Sequence, residues 1–223
     1  MSDTIRFFET FKKMPMMQLP VRTTLVPVKG GLVLISPGTK MTDQELKALG
    51  PVTDIVAPNL FHLDGIPRAS RAFPKAKIWG IPGAELKKPV VKWANILSEK
   101  TWPYQDELPL VNIEGMPMVN ETLFVHNSSK SLIATDFFFN MVSEKGFWAW
   151  LILSLFGTYN KLGISRFFLK FVENKTATRD SVRKLMRLDF DRLIPSHGQI
   201  VETEGKLKLE KVLTQKRLFS RDQ

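Results

Sequence analysis

The sequence predicts an α/β protein in which short apolar strands alternate with helices. Hydrophobic residues make up 43% of the 223 residues, which is enough for a sizeable core. Residues 53–57 and 77–81 are short apolar runs separated by a polar loop and a helical segment, an order typical of layered α/β structures. No long linker divides the chain into two parts, so a single domain is expected.

Strand and helix signals alternate through the first half of the chain. Gly30 and Gly31 separate two β-branched runs, as in a hairpin. Thr42 and Glu45 form a capping-box pattern that starts a helix. Together these signals predict strands at residues 21–28, 32–36, 53–57 and 77–81, and helices at 42–49, 67–73 and near 90–97. We interpret residues 1–20 as an N-terminal extension.

Strand signals return at residue 108, and helices close the chain. We expect strands at residues 108–113, 122–126, 131–135 and 192–195, and helices at 178–188 and 206–218. The turn at 127–130 joins two of these strands as a hairpin. An aromatic-rich helical insertion is expected at about 138–175, within one domain that covers residues 21–223.

The composition excludes several kinds of site. The chain has no Cys and three His, which excludes disulfides, cysteine-bound zinc, iron–sulfur clusters and thiol nucleophiles. Any metal ion has to be bound by His, Asp, Glu or Asn. Residues 1–22 contain Asp3 and Glu9 among aromatic residues and lack the apolar core of a signal peptide, so we expect a cytoplasmic protein.

The chain is basic, with 32 Lys and Arg against 22 Asp and Glu. Residues 160–223 contain 15 of these cations and 8 of the acids, spaced as on solvated helix faces, and no nucleic-acid-binding motif accompanies them. Residues 147–157 form an apolar run about half as long as the roughly 20 residues that span a bilayer. We interpret this run as a buried helix. The alternative is contact with an anionic membrane surface through residues 147–171.

Three polar turns follow apolar strands. His62 and Asp64 lie in the turn after one strand. Asp136 closes a second strand, and His197 follows a third. Because α/β proteins place their sites just beyond the ends of sheet strands, we expect these side chains to converge.

These turns resemble the metal-binding motifs of the metallo-β-lactamase-like superfamily, over residues 22–218. That superfamily has a His-x-His-x-Asp-His turn after a strand, an Asp that closes a later strand and a late His. Here the turn reads LFHLDG, which keeps its second His and its Asp but has Leu60 and Gly65 in place of two other His. Asp136 and His197 match the later positions. The Pro-Asn-x-x-His run at 58–62 is similar to a poorly characterised branch of unknown function.

The resemblance implies an αββα sandwich of two mixed sheets flanked by helices, with a metal centre at one end. The implied ligands are His62, Asp64, Asp136 and His197, with catalytic roles for Asp64 and Asp136. Two imidazoles and two carboxylates fit one divalent ion, either Zn, Fe or Mn. Asn59 and Glu121 are candidates for residues that support the ligands, and the alternative for Glu121 is that its carboxylate is itself an oxygen ligand.

The third histidine, His126, is expected to have a structural role. In a hairpin with its turn at 127–130, His126 pairs with Ser131, whereas Asp136 lies near Glu121. Five residues at about 3.3 Å each separate the two ends by roughly 16 Å. His126 is therefore too far from Asp136 to share an ion with it.

Two hypotheses from different classes are compatible with this pattern. In the first, the protein is a metal-dependent hydrolase that activates water against an ester, amide or phosphoester of a small-molecule substrate. In the second, the missing histidines mark a protein that has lost catalysis and serves as a binding or scaffold module. The second hypothesis predicts that no metal binds and that side chains fill the pocket.

Overall fold

The computed structural model describes residues 4–14 and 16–220. Within these residues the strands, in chain order, are β1 (Arg6–Met14), β2 (Met17–Val28), β3 (Gly31–Ile35), β4 (Val52–Val56), β5 (Lys77–Gly80), β6 (Asn95–Ile96), β7 (Leu110–Asn112), β8 (Thr122–His126), β9 (Ser131–Ala134), β10 (Phe139–Asn140), β11 (Leu162–Gly163) and β12 (Arg192–Pro195). The helices are α1 (Asp43–Ala48), α2 (Ile66–Ala72), α3 (Ala84–Lys87), α4 (Phe147–Phe156), α5 (Arg166–Leu169), α6 (Lys175–Arg187) and α7 (Gly205–Gln215).

The larger sheet combines an antiparallel half and a parallel half. Across the described residues its order is β1-β2-β3-β4-β5-β6. The first three strands pair antiparallel, and β3 to β6 run parallel. The predicted hairpin is β2 with β3, and Gly30 occupies its turn with φ +93°.

The segment that we interpreted as an N-terminal extension contributes to this sheet. Strand β1 pairs with β2 along its whole length, from Arg6 opposite Leu25 to Met14 opposite Met17. Residues 1–3 and 15 of that segment lie outside the described residues, as do residues 221–223 at the end of the predicted domain. The described part of the segment therefore forms the edge of the larger sheet.

The smaller sheet has the order β12-β9-β8-β7 in the described part of the chain. Strands β8 and β9 form the predicted hairpin, with His126 opposite Ser131. Strand β12 comes from near the end of the chain and pairs parallel to β9. Because parallel strands end at the same edge of a sheet, the turns that follow β9 and β12 lie side by side.

Alternate residues of the smaller sheet face two different cores. Phe124, Ile133 and Ile194 pack with residues of the larger sheet, between the two sheets. Their neighbours Leu132 and Leu193 pack on the other face with buried residues of α6 and α7. Side chains alternate along a strand, so apolar residues at every position bury a sheet on both faces. With α2 packed on β4 and α1 beside it, the predicted αββα sandwich is confirmed.

The helix predicted near residues 90–97 is wrong. The backbone N–H of Ala94 donates to the carbonyl of Ile78 at 2.8 Å, and that of Leu97 donates to the carbonyl of Gly80 at 2.7 Å. These bonds hold the short strand β6 against β5. Pairing with the exposed edge of the sheet outweighs the local helical pattern here.

The aromatic-rich segment is only partly helical. Helix α4 begins after Gly146 and ends at Gly157, whose φ of +75° is typical of a helix C-terminus. Strands β10 and β11 pair antiparallel, and α5 is about one turn long. Within the described residues, no helix is both long enough and apolar enough to cross a membrane.

Candidate metal centre

Three side chains from separate strand ends meet at one edge of the sandwich. His62 follows β4, Asp136 follows β9 and His197 follows β12. The Nε2 atom of His62 lies 3.3 Å from Asp136 Oδ2, and the Nε2 atom of His197 lies 3.2 Å from Asp136 Oδ1. One potential ligand atom from each residue lies within 4.8 Å of the others. The structure thus brings together three of the four predicted ligands.

Each imidazole is held through its Nδ1 atom, so that Nε2 faces Asp136. The Nδ1 atom of His197 lies 2.6 Å from the carbonyl oxygen of Pro20. Since a carbonyl only accepts, this Nδ1 carries a proton, and Nε2 is the ring nitrogen that faces Asp136 and could bind a metal ion. The Nδ1 atom of His62 lies 2.6 Å from the hydroxyl of Ser36. Metal-binding histidines are commonly oriented by such a second hydrogen bond.

The turn that carries His197 is fixed from three sides. The ring of Phe139 stacks on the imidazole with centroids 5.1 Å apart. Gly198 has φ +87°, and a Cβ atom there would lie 2.2 Å from the carbonyl oxygen of Asn140, so the close approach requires glycine. The buried guanidinium of Arg22 donates to the carbonyl oxygen of Gly198 at 2.8 Å.

Asn59 connects the loop of His62 to the carboxylate of Asp136. Its Oδ1 atom accepts from the backbone N–H of His62 at 2.9 Å, and its Nδ2 atom donates to Asp136 Oδ2 at 2.8 Å. The same Nδ2 atom lies 2.5 Å from the fully buried Glu121. Glu121 in turn accepts from the backbone N–H groups of Thr135 and Asp136, at 2.9 and 3.1 Å. Asn59 and Glu121 therefore lie directly behind the ligand group.

Burial acts to raise the pKa of both Glu121 and Asp136, but the neighbours of the two carboxyl groups give them opposite net shifts. For Glu121, burial and the nearby charge of Asp136 raise the pKa to about 7, although its hydrogen bonds lower it. For Asp136, burial alone would raise the pKa, but the two imidazoles beside it hold the pKa well below its usual value. Asp136 is the carboxyl group that keeps its charge, as an anionic ligand has to.

Asp64, the fourth predicted ligand, lies outside this group. Its carboxylate pairs with Lys88 at 2.8 Å, and its side chain is 56% exposed. The hydrogen bond from Lys88 lowers the pKa of Asp64. To bind the same ion, Asp64 would have to give up this ion pair. Its ligand and catalytic roles stay predictions, and the structure places it on the wall of the cleft described below.

His126 lies where the hairpin register predicts. It stands opposite Ser131, and its Nδ1 atom lies 2.7 Å from the hydroxyl of Ser129. Glu121 instead contacts the other end of the hairpin, where the hydroxyl of Thr135 donates to it at 2.7 Å. The structure keeps His126 out of the ligand group, as expected from the sequence.

Sequence analysis missed the residues that orient the two histidines. Ser36 has φ +52°, an uncommon value for a residue other than glycine, and its hydroxyl contacts His62. Pro20 contributes only its carbonyl oxygen, which no side-chain pattern reveals. Arg22 did carry a signal, because it is a cation inside a predicted apolar strand, and it is 5% exposed in the structure.

The donor set fits one divalent ion. Two imidazole nitrogens and one carboxylate are three protein ligands, the number typical of catalytic sites that keep a position open. The superfamily motif has two further histidines where this chain has Leu60 and Gly65. A Cβ atom at Gly65 would lie 1.8 Å from the carbonyl oxygen of Pro37. The backbone contact at Gly65 leaves no room for any side chain.

The ligand group lies in the wall of a large cleft. The cleft has a volume of about 860 Å³ and is lined by His62, Asp136 and His197 together with residues of β1, β2, α4 and α5. Ligand pockets in proteins span roughly 300–1,000 Å³. The space beside the three ligands is therefore large enough for a small molecule.

The sequence matches no protein-family model and no curated protein. Solved structures do match. A metallo-β-lactamase from Pontibacter korlensis has a TM-score of 0.64 and 13% identity over 96% of both chains. A metallo-β-lactamase from Erythrobacter litoralis has a TM-score of 0.64 and 13% identity over 98% of this chain and 90% of that one. The chain has a metallo-β-lactamase fold.

The same fold is found within a larger protein. The metal-soaked Flv1 flavodiiron core from a Synechocystis species has a TM-score of 0.65 and 10% identity, over 96% of this chain and 58% of that one. This chain thus spans a little over half of the flavodiiron core. At these identities the similarity shows the metallo-β-lactamase fold alone, and the ligand group rests on its own geometry.

Substituting Asn59 tests whether its hydrogen bonds position the candidate metal ligands His62 and Asp136. We expect Asn59→Ala to weaken zinc binding by about 10–100-fold, the usual effect of losing a residue that orients metal ligands. Asn59→Asp should also weaken it, because a third carboxyl group would face those of Glu121 and Asp136. Competition with a zinc-sensitive dye measures the affinity.

Asn127→Ala is the matched control, because the exposed amide of Asn127 binds a backbone carbonyl in a remote turn. Circular dichroism checks that each variant is folded. A folded Asn59→Ala protein with the zinc affinity of the Asn127→Ala control would show that Asn59 does not position the ligands.

Restoring the missing histidine at position 65 should not create a second metal site. We expect Gly65→His to lower the free energy of unfolding by at least about 2 kcal/mol, because the new side chain overpacks against the carbonyl of Pro37. The number of metal ions per chain should not increase. Urea denaturation and elemental analysis measure the two quantities, and Arg71→His, an exposed position in α2, is the control. A stable Gly65→His protein with two ions would refute this explanation.

Proposed function

We propose that this protein is a metal-dependent hydrolase that holds one divalent ion with His62, Asp136 and His197. The orientation of the two imidazoles carries the proposal. Both Nδ1 atoms are engaged by hydrogen bonds, and both Nε2 atoms face one buried carboxylate. Imidazoles oriented in this way by a second partner are typical of metal ligands.

The residues of the chain hold and orient the reacting groups. When bound, the ion supplies Lewis-acid chemistry, by polarising an ester, amide or phosphoester oxygen and acidifying water at the site. Asp136 contributes the negative charge of the ligand set, and the amide of Asn59 holds its carboxylate in place. Asn59 fixes the spacing between His62 and Asp136 through one side-chain amide. Zn, Fe and Mn all accept such a donor set.

The open cleft supports the hydrolase hypothesis over the scaffold hypothesis. If the protein had lost catalysis, we would expect side chains to fill the pocket. The three ligands instead line a cleft of about 860 Å³. We therefore propose that a small-molecule substrate binds in this cleft and places its scissile bond beside the ligand group.

Metal content is the first test of this function. Metal-free protein that is given zinc, manganese or iron(II) separately should bind close to one equivalent of at least one of these ions. His62→Ala and His197→Ala should each weaken binding by more than about 100-fold, since even the loss of a residue that only orients a ligand costs roughly 10–100-fold. His126→Asn is the matched control, because it removes the third imidazole at a remote turn.

Hydrolysis of a panel of esters, amides and phosphodiesters is the second part of the test. A chelator should abolish the activity, and the ion that binds should restore it. His62→Ala should abolish it as well, whereas His126→Asn should retain it. A protein that binds none of the three ions, or whose hydrolysis survives both chelator and His62→Ala, would contradict the proposal.

A further inference from the structure

We infer that the cleft beside the metal centre binds an amphiphile, a long apolar chain that ends in one carboxylate or phosphate group. The inference rests on the proposed function, because an alkyl phosphate carries a phosphoester bond of the kind to be hydrolysed and an alkyl carboxylate is a product of ester or amide hydrolysis at the same site. Binding of the amphiphile itself requires no metal, so the two ideas can be tested separately.

The walls of the cleft are apolar over most of their extent. Strands β1 and β2 contribute Phe11 and Leu19 on one side. Helix α4 contributes Ile152, Leu153 and Phe156, which lie on one face of the helix because they recur at its period. A polar substrate would leave these side chains without apolar partners, whereas a hydrocarbon chain would remove them from water.

A continuous row of aromatic rings runs along the cleft toward the ligand group. The ring of Phe156 lies 6.0 Å from that of Phe167, which lies 5.0 Å from that of Phe171. The ring of Phe171 lies 5.5 Å from that of Phe61, the residue before His62. Phe167 is 49% exposed. The row forms an extended apolar surface, which fits a linear chain better than a compact ligand.

Lysines add positive charge to the same cleft. Among its described lining residues are Lys12, Lys87 and Lys88, against Asp64 and the ligand Asp136. Lys88 pairs with Asp64 at 2.8 Å. The ammonium group of Lys87 lies 5.8 Å above the ring of Phe61, at the end of the aromatic row. Three lysines against two carboxylates give these lining residues a net positive charge, which attracts an anionic group.

Together, the apolar walls and the cationic lysines favour a ligand that has both an apolar part and an anionic part. A neutral hydrocarbon would leave the lysines without a counter-charge. A small anion would leave the aromatic row exposed to water. An anionic amphiphile satisfies both, because its chain covers the rings while its head group meets the lysines.

Isothermal titration of metal-free protein tests this inference, with ligands kept below their micelle concentrations. Dodecyl phosphate and dodecanoate should both bind. Inorganic phosphate and butyl phosphate should bind more than about tenfold more weakly, since they lack the buried chain. Dodecyltrimethylammonium should also bind more weakly, by about tenfold, because its charge is opposite.

Two variants with matched controls locate the binding. Phe167→Asp should weaken dodecyl phosphate binding by about tenfold or more, because it interrupts the aromatic row and adds a repelling charge. The double variant Lys12→Ala, Lys87→Ala should weaken it by about threefold while leaving dodecanol binding unchanged. Leu207→Asp and Lys211→Ala, in α7 and away from the cleft, should bind like the original protein.

The outcomes separate this inference from the proposed function. Equal binding of inorganic phosphate and dodecyl phosphate would overturn the inference, as would equal binding of the cationic amphiphile. Unchanged binding by folded Phe167→Asp protein would also overturn it. If dodecyl phosphate binds as expected but no metal does, the proposed function alone fails. If metal binds but the amphiphiles do not, the inference alone fails.

We also propose that the outward face of α4 docks on an anionic membrane surface. Independently of the cleft, this face exposes Phe147, Trp148, Trp150 and Leu155, between 45% and 64% each. They lie on the opposite side of α4 from the residues that line the cleft. Tryptophan is favoured where a membrane meets water, because its ring is apolar and its N–H is polar.

The segment that contains α4 is basic, which favours anionic lipid over a neutral surface. Residues 142–175 contain five Lys or Arg and two Glu. The exposed guanidinium of Arg166 donates to the carbonyl oxygen of Leu155 at 3.4 Å, which places one cation at the end of α4. An exposed apolar helix face in a basic segment of the chain matches the chemistry of interfacial helices on anionic membranes.

Vesicle flotation tests the docking. The protein should float with vesicles of equal parts phosphatidylcholine and phosphatidylglycerol, more than with phosphatidylcholine alone, and high salt should reduce the effect. The double variant Trp148→Ala, Trp150→Ala should lose most of the flotation, and Leu207→Ala should retain it. Flotation that ignores lipid charge would overturn the proposal. The proposal would also be overturned if neither protein floated and sedimentation showed a dimer for the original protein but a monomer for the tryptophan variant.

Discussion

The buried side chain of Asn59 is the contact on which the candidate site depends. It lies after β4 of the larger sheet, whereas Glu121 and Asp136 lie at the end of the smaller sheet. Two buried carboxyl groups so close together repel each other and lose their hydration. The Nδ2 group of Asn59 donates to both, while its Oδ1 accepts from the backbone of His62. One amide therefore offsets the repulsion and sets the position of the loop that carries His62.

Much of the fold could be predicted because its strands are short, apolar and well separated. The β8–β9 hairpin and its register followed from the turn at 127–130, and that register correctly separated His126 from Asp136. The meeting of Asp136 with His197 followed from the placement of polar turns after strands. The αββα order of layers, in contrast, came from the resemblance to a known superfamily. A cytoplasmic location stays a prediction.

What could not be predicted depends on contacts between distant parts of the chain. The carbonyl of Pro20 orients His197 across 177 positions, and a backbone atom leaves no trace in a side-chain pattern. Strand β6 forms because the edge of β5 is available, which is a property of the sheet rather than of residues 90–97. Asp64 has the right position in the motif, yet Lys88 engages its carboxylate. Local sequence cannot decide between such competing partners.

Two residues of the turn that carries His62 bear on both the ligand group and the cleft beside it. At the first of two positions where the superfamily motif has a His, this chain has Leu60, an apolar side chain on the cleft wall. At the second, Gly65 lets the start of α2 approach the carbonyl of Pro37 more closely than any side chain would allow. Neither residue offers a side-chain ligand for a second ion, and Leu60 also adds to the apolar wall. A candidate site whose three ligand side chains lie beside so much apolar surface suits the proposed substrate, an amphiphile that binds chiefly through its hydrocarbon portion.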